Sequence, residues 1–272
     1  MNDAEAVGWI QEDATEMAAL LRAADPTATV PTCPEWTVAD LGTHIAGGFA
    51  GWYCYNASTP APEWSLEGLM GAIASAEATV DDHLGNVTLL ESAVEQFLEI
   101  VTGPGRDLST WCFGGGSAPA RWWLRRAGSE LTVHLTDAAG VHDRWSSTSP
   151  AGSCEAIDEV TGEIFPRFPA ILVGMAAMRG EEPVEAPVLP ADPVALIASD
   201  CDRGWTLRRD EEGNAIRERT AASDAAAVAT ATGADLLAWL HGRPTRAPLD
   251  VEGPRELVEQ WNLHARVASA QS

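Results

Sequence analysis

RRAGSELTVHLTDAAG, residues 125–140, reads as a helix carrying a carboxylate and an imidazole, Glu130 and His134, four positions apart. At 3.6 residues per turn that spacing puts both side chains on one face, about one turn apart. So placed, they share a metal ion or simply hydrogen-bond to each other, and spacing alone does not decide between the two. A third candidate ligand, His44, lies far upstream in another helical stretch, TVADLGTHIAGG, residues 37–48. The first half of the chain is expected to fold so that His44 meets Glu130 and His134.

Outward from there, helical periodicity dominates up to about Pro150. Ala4 to Ala24 forms an amphipathic helix with Val7, Ile10, Met17, Leu20 and Leu21 on its apolar face. The proline-broken PTATVPTCPEW connects it to the next helix, where Thr37 reads as the N-cap and Asp40 completes a variant capping box. Val38, Leu41, Ile45 and Phe49 make the stripe of that helix. His44, beside Leu41 and Ile45, is expected to point inward, and Gly47 and Gly48 to allow a close helix approach. Leu66 to Leu84 and Leu89 to Val101 are two further helical stretches, and Ala118 to Ala139 is the long helix that carries Glu130 and His134. Between them lies WCFGGGSAPARWW, whose three glycines are followed by no Lys and Ser/Thr pair and preceded by no clear strand. That excludes a phosphate-binding loop. The first half is thus a helical bundle.

Beyond Pro150 the texture changes. One more helix is expected over Ala156–Phe165, after which prolines multiply through PRFP, EEPVEAPVLP and DP. PVALIASD, GWTLRRD and NAIRERTA read as short strands, with DEEGN turning between two of them. Ala234–Leu240 and Glu256–Trp261 return to helix. The expected organisation is a mainly α domain over residues 1–150 and a small α+β domain over residues 151–272, packed over the bundle's mouth.

Composition narrows the function. The formal charge is -23 over 272 residues, and every strong base is arginine. A surface so acidic repels nucleic-acid phosphates and anionic lipid, which sets DNA, RNA and membrane-surface roles aside. The five cysteines (Cys33, Cys54, Cys112, Cys154 and Cys201) are odd in number, widely spaced and without a CxxC pair. They are a poor disulfide framework and a poor zinc-thiolate site, and read as small buried hydrophobes. MNDAEAVGW lacks the regions of a signal peptide, and FPAILVGMAAM is too short to span a membrane. A reducing cytoplasm is the simplest home. Monomer and homodimer both fit.

Two histidines and a carboxylate suit a catalytic zinc site with one position open, although such ligands also accept nickel, iron or another divalent ion. A thiolate sulfur suits the open position. Trp52, Trp111, Trp122 and Trp123 are dense nearby and make either an aromatic pocket or core. His83, His142, His241 and His264 have no evident partner. Hydrolysis by a metal-activated water lacks a distinct general base.

PTCPEWTVADLGTHIAGG (31–48), RWWLRRAGSELTVHLTDAAG (121–140) and TATGADLLAWLHGRPTRAPLDVEGPRELVEQW (230–261) resemble, in matching order, the mycothiol-dependent maleylpyruvate isomerase family. The resemblance implies a DinB-like four-helix bundle followed by a sterol-carrier-like α+β domain. It implies zinc on His44, Glu130 and His134, with Asp137 and Arg243 in catalysis and Arg126, Arg243 and Trp122 toward the cofactor. Arg125 and Arg126 match the family's basic pair, of which a helix lets at most one face a site. One departure stands out: Leu135 and Thr136 occupy positions where the family often has arginine and tryptophan. The function implied is zinc-assisted addition of a low-molecular-weight thiol, mycothiol, to a small electrophilic metabolite, giving S-transfer or thiol-dependent isomerisation. The alternative is a non-catalytic binder of hydrophobic or aromatic small molecules with a degenerate metal site.

Overall fold

In the computed structural model of this protein, residues 1–78, 80, 82–112, 116–182, 188–220 and 224–262 are described. The chain divides into two compact units, Met1–Ser149 and Pro150–Ser272.

The first unit is built on helices that begin where capping chemistry tells them to. Helix α1 (Asp3–Ala23) starts at Asn2, whose side chain accepts from the Glu5 N–H while Glu5 accepts from the Asn2 N–H. A short antiparallel hairpin, β1 (Thr29–Val30) and β2 (Cys33–Thr37), follows. Thr37 then caps α2 (Val38–Gly47): the Asp40 N–H donates to Thr37 Oγ1 at 3.2 Å and the Thr37 N–H to Asp40 Oδ2 at 2.8 Å. Helix α2 runs on through a π-helical segment, Gly48–Tyr53, into α3 (Cys54–Ser58). Next come α4 (Leu66–Glu77) and α5 (His83–Thr102). The antiparallel strands β3 (Ser109–Cys112) and β4 (Gly116–Pro119) then lead through a 3-10 turn into α6 (Trp123–Val141).

Helices α1, α2, α5 and α6 enclose one core, in which Ile10, Met17, Leu21, Leu41, Ile45, Phe49, Phe97, Trp123 and Leu131 are fully buried. Each such side chain contributes about 1.5–3 kcal/mol on leaving water.

Several expectations for this half are corrected. The stretch from Leu66 stops at Glu77, and α5 begins at His83 because Asp82 caps it through the Gly85 N–H. Ala118 and Pro119 lie in β4 rather than in the α6 helix. The close approach belongs to Gly51, not to Gly47 and Gly48: a Cβ on Gly51 would stand 2.6 Å from Ile73 Cα, whereas one on Gly48 meets nothing within 4 Å.

The second unit opens with α7 (Pro150–Glu159), a π-helical turn over Val160–Ile164 and α8 (Phe165–Arg179), which Gly180 closes in the left-handed conformation. The helix therefore continues through PRFP, where a break was expected. Pro166 falls in its first turn, where its missing N–H costs little, and the π turn loosens the ladder just ahead of it; Pro169 lies inside the helix, where it forgoes one backbone hydrogen bond and the helix nevertheless continues. Strands β5 (Val194–Ala198), β6 (Arg203–Arg209), β7 (Ala215–Glu218), β8 (Ala227–Ala231) and β9 (Asp250–Glu252) form one sheet of order β7-β6-β5-β8-β9. Among the described residues, only the β5–β8 pair is parallel. Helix α9 (Gly233–Leu240) sits between β8 and β9 in the chain, packed on α7, and α10 (Arg255–Glu259) follows. The expected isolation of the cysteines fails at one place: a disulfide joins Cys154 on α7 to Cys201 in the β5–β6 turn, 47 residues apart in sequence. Among the described residues, no helix is long and apolar enough to cross a membrane.

Candidate metal centre

Helix α6 presents Glu130 and His134 one turn apart, as their spacing requires, and α2 brings His44 to them. His44 Nε2 and His134 Nε2 each lie 3.4 Å from Glu130 Oε1. The three ligand atoms all lie within 4.8 Å of one another. Separations of 3.4 Å from Glu130 Oε1 to each imidazole nitrogen are short enough for one divalent ion to be shared by the three side chains. The donor set of two imidazoles and a carboxylate suits a divalent ion and leaves a fourth direction for another ligand.

The exposures differ in a way that orients the site. The His44 side chain is 40% exposed, that of Glu130 25% and that of His134 10%. His44 thus does not point into the core, as its neighbours Leu41 and Ile45 suggested. It sits at the edge of the buried stripe, and the centre opens on its side.

Behind His134 stands Asp137, wholly buried, with Oδ2 2.8 Å from His134 Nδ1. A carboxylate only accepts, so in the neutral ring Nδ1 carries the proton and Nε2 is the nitrogen whose lone pair is free for an ion. The Thr32 hydroxyl, from the turn between β1 and β2, donates to the other oxygen of Asp137 in a short hydrogen bond, and Cys33 Sγ lies 3.8 Å from Oδ2. Burial alone would lower the His134 pKa, but the Asp137 and Glu130 carboxylates outweigh it and push it up to about 9. Burial likewise works to raise the Glu130 carboxyl. The Arg126 guanidinium, together with His134 and His44, holds it well below the usual carboxylate range. Arg126 forms a close ion pair with Glu130 Oε2 one helical turn away, leaving Oε1 turned toward the histidines.

Of the basic pair, only Arg126 faces the centre. Arg125 turns away to the Met1 carbonyl at 2.8 Å and to Asp3 at 3.6 Å. Trp122 stands edge-on to Trp123, 5.0 Å between ring centroids, while Trp111 stacks on Trp64 at 4.4 Å. Trp52 and Trp122 pack half-buried against the core, and Trp123 lies within it. In the second unit Arg243 donates from Nη1 to the His241 carbonyl at 2.8 Å, across the end of α9. His83 and His142 are tied to backbone carbonyls, those of Leu21 at 2.8 Å and Leu20 at 3.0 Å. His264 lies outside the described residues.

Two residues of the site were missed. Trp36, on β2, lies 4.8 Å from the His44 ring and is stacked with the His134 ring at 5.9 Å and 18°. Thr32 holds Asp137. Both sit in PTATVPTCPEW, where prolines break the chain, and within the 31–48 segment that resembles the family, but neither is among the candidate site residues. Trp36 directly precedes the capping Thr37, and that adjacency was the available signal.

Residues 10–139 match the family described as Mycothiol maleylpyruvate isomerase N-terminal domain. Among solved structures, the chain is similar to a crystal structure of the mycothiol-dependent maleylpyruvate isomerase, with a TM-score of 0.56, 14% identity, and 93% of this chain and 95% of that chain covered. A histidine-to-alanine mutant of that enzyme matches with the same figures. At this identity the likeness is one of fold. No curated protein sequence matches.

Proposed function

Residues 10–139 belong to the mycothiol maleylpyruvate isomerase N-terminal domain family, and from that premise we propose that the protein is a metal-dependent enzyme that uses a low-molecular-weight thiol. The thiol is mycothiol, and the second substrate a small electrophilic metabolite. The reading is carried by one observation: Glu130 Oε1 stands 3.4 Å from each of two histidine Nε2 atoms in a centre open on one side. The proposed organisation is a DinB-like bundle over residues 1–150 and a sterol-carrier-like domain over residues 151–272. The enclosure of one core by α1, α2, α5 and α6 supports the first of these.

His44, Glu130 and His134 hold the ion, zinc by preference. When bound, a divalent ion supplies a Lewis acid that lowers a thiol's pKa, so that the thiolate prevails near neutral pH. Asp137 fixes the His134 ring and its tautomer. Arg126 keeps Glu130 ionised and aimed. The thiolate sulfur bonds to the β-carbon of a conjugated carbonyl compound, and the electron pair of the carbon–carbon double bond moves to the carbonyl oxygen. Rotation about the resulting single bond and expulsion of the thiolate returns the double bond in the other geometry. Protonation with retention of the sulfur gives S-transfer instead. Isomerisation and S-transfer are both outcomes of this addition; Leu135 lies buried in the core and Thr136 donates to the Thr132 carbonyl, so these two departures from the family do not by themselves select the electrophile. Arg243 and Trp122 are assigned to substrate and cofactor binding on the resemblance alone.

Elemental mass spectrometry of the purified protein beside His44→Ala tests the reading. About one zinc per chain, lost in the variant, is the expected result. A native protein that takes up no stoichiometric metal overturns it.

A further inference from the structure

Trp36 is placed as a wall of the centre rather than as a core residue. Its ring is half-buried, packs against the edge of the first unit's core, and lies within ring-contact distance of both histidine ligands. It approaches His44 more closely than His134, and His44 is the most exposed of the three ligands. A molecule entering on the open side therefore passes the indole. The ring is also held in place. The hairpin pairs Thr29 with Thr37 and Val30 with Cys33, and its turn is fastened to Asp137 by Thr32. The same short segment thus secures the orientation of His134 and the position of the indole.

An indole fixed beside an open coordination position offers a flat π face. A conjugated, planar molecule stacks on it, while a saturated analogue of the same charge and length puckers away. Resting on the metal-centre reading above, we propose that Trp36 is a specificity-determining residue that stacks on a flat, conjugated electrophile at the open side of the centre.

The test uses the full chain loaded with cobalt(II), whose visible absorption reports the ligand set directly. Fumarate, planar and unsaturated, and succinate, its saturated counterpart, are titrated into the native protein, Trp36→Phe and Trp36→Leu. Native protein is expected to bind fumarate roughly three- to tenfold more tightly than succinate. The preference should survive in large part in Trp36→Phe and vanish in Trp36→Leu, with about one cobalt per chain in all three. An undiminished preference in Trp36→Leu, or none in the native protein, overturns the proposal. Loss of cobalt in Trp36→Leu alone also overturns it, by making the indole a support for the ligands. A native chain that takes up no cobalt removes the metal-centre reading itself, and this proposal with it.

Discussion

Asp137 Oδ2 lies 2.8 Å from His134 Nδ1, and nothing of Asp137 reaches solvent. A carboxylate so placed touches no substrate; it acts by holding a ligand. Asp137→Asn is therefore expected to weaken metal affinity by about 10- to 100-fold while leaving the three ligands in place. Thr32→Val, one bond further out, should have a smaller effect in the same direction. Competition with a chromophoric chelator measures both, and an unchanged affinity in Asp137→Asn would remove the positioning role.

The raised pKa of His134, about 9, sets the pH response of the metal-free protein. As imidazolium, His134 contributes stability that is fully present below the ordinary value of 6.5 and is lost as pH rises through about 9. Metal ligation needs the neutral ring, so affinity should rise with pH up to about 9, roughly tenfold per unit. Binding at pH 7 should release about one proton from this residue. Calorimetric titration in two buffers of different ionisation enthalpy reads that proton, and equal apparent enthalpies in the two buffers would contradict the assignment.

A second buried group, the Asp13 carboxyl, also holds its proton more tightly in the folded chain than in the unfolded one. Asp13, on α1, accepts from Trp9 Nε1 at 3.0 Å, from the Thr132 hydroxyl at 2.6 Å and from the Thr148 hydroxyl at 3.2 Å. Burial outweighs those bonds and raises its pKa from 3.8 to about 6. The folded protein then holds a proton that the unfolded chain has already lost, and stability falls as pH rises between these two values. Asp13→Asn keeps an acceptor oxygen and removes the charge. Relative to native, its stability should improve by about 2 kcal/mol on going from pH 4 to pH 7, as followed by urea unfolding. A difference independent of pH would refute this.

Three helical glycines should respond with opposite signs. A Cβ on Gly128 would stand 2.6 Å from the Trp9 ring, and one on Gly51 2.6 Å from Ile73 Cα, whereas one on Gly8 meets nothing within 4 Å. Gly128→Ala and Gly51→Ala should each cost about 1–3 kcal/mol through overpacking. Gly8→Ala, inside α1, should gain about 0.5–1 kcal/mol through helix propensity. Thermal melts of the three variants decide it.

What could be read in advance was what local chemistry fixes. Thr37 and Asp40 lie three residues apart, and their reciprocal bonds form whatever the rest of the chain does. Glu130 and His134 share a face by helical geometry alone. The direction of His44 was not legible, because it lies at the margin of the stripe defined by Leu41 and Ile45, and only the position of α6 decides which way it looks. Strands β8 and β9 were missed: Ala227–Ala231 is alanine-rich and shows no sharp apolar alternation, and its pairing with β5 is settled across more than 30 residues of chain. The helix through Pro166 was lost for the opposite reason, a strong local signal overridden by its position in a first turn. The disulfide between Cys154 and Cys201 depends on tertiary proximity, which spacing does not encode.

His44 and Glu130 are separated by 86 residues of sequence yet meet at 3.4 Å. An unfolded chain offers an ion only scattered single donors, so a three-donor site comes into being only when α2 docks against α6. Metal uptake thereby becomes a clock for that docking. In a refolding experiment, the colour of bound cobalt would mark the moment the two halves of the bundle close, independently of any signal from helix formation.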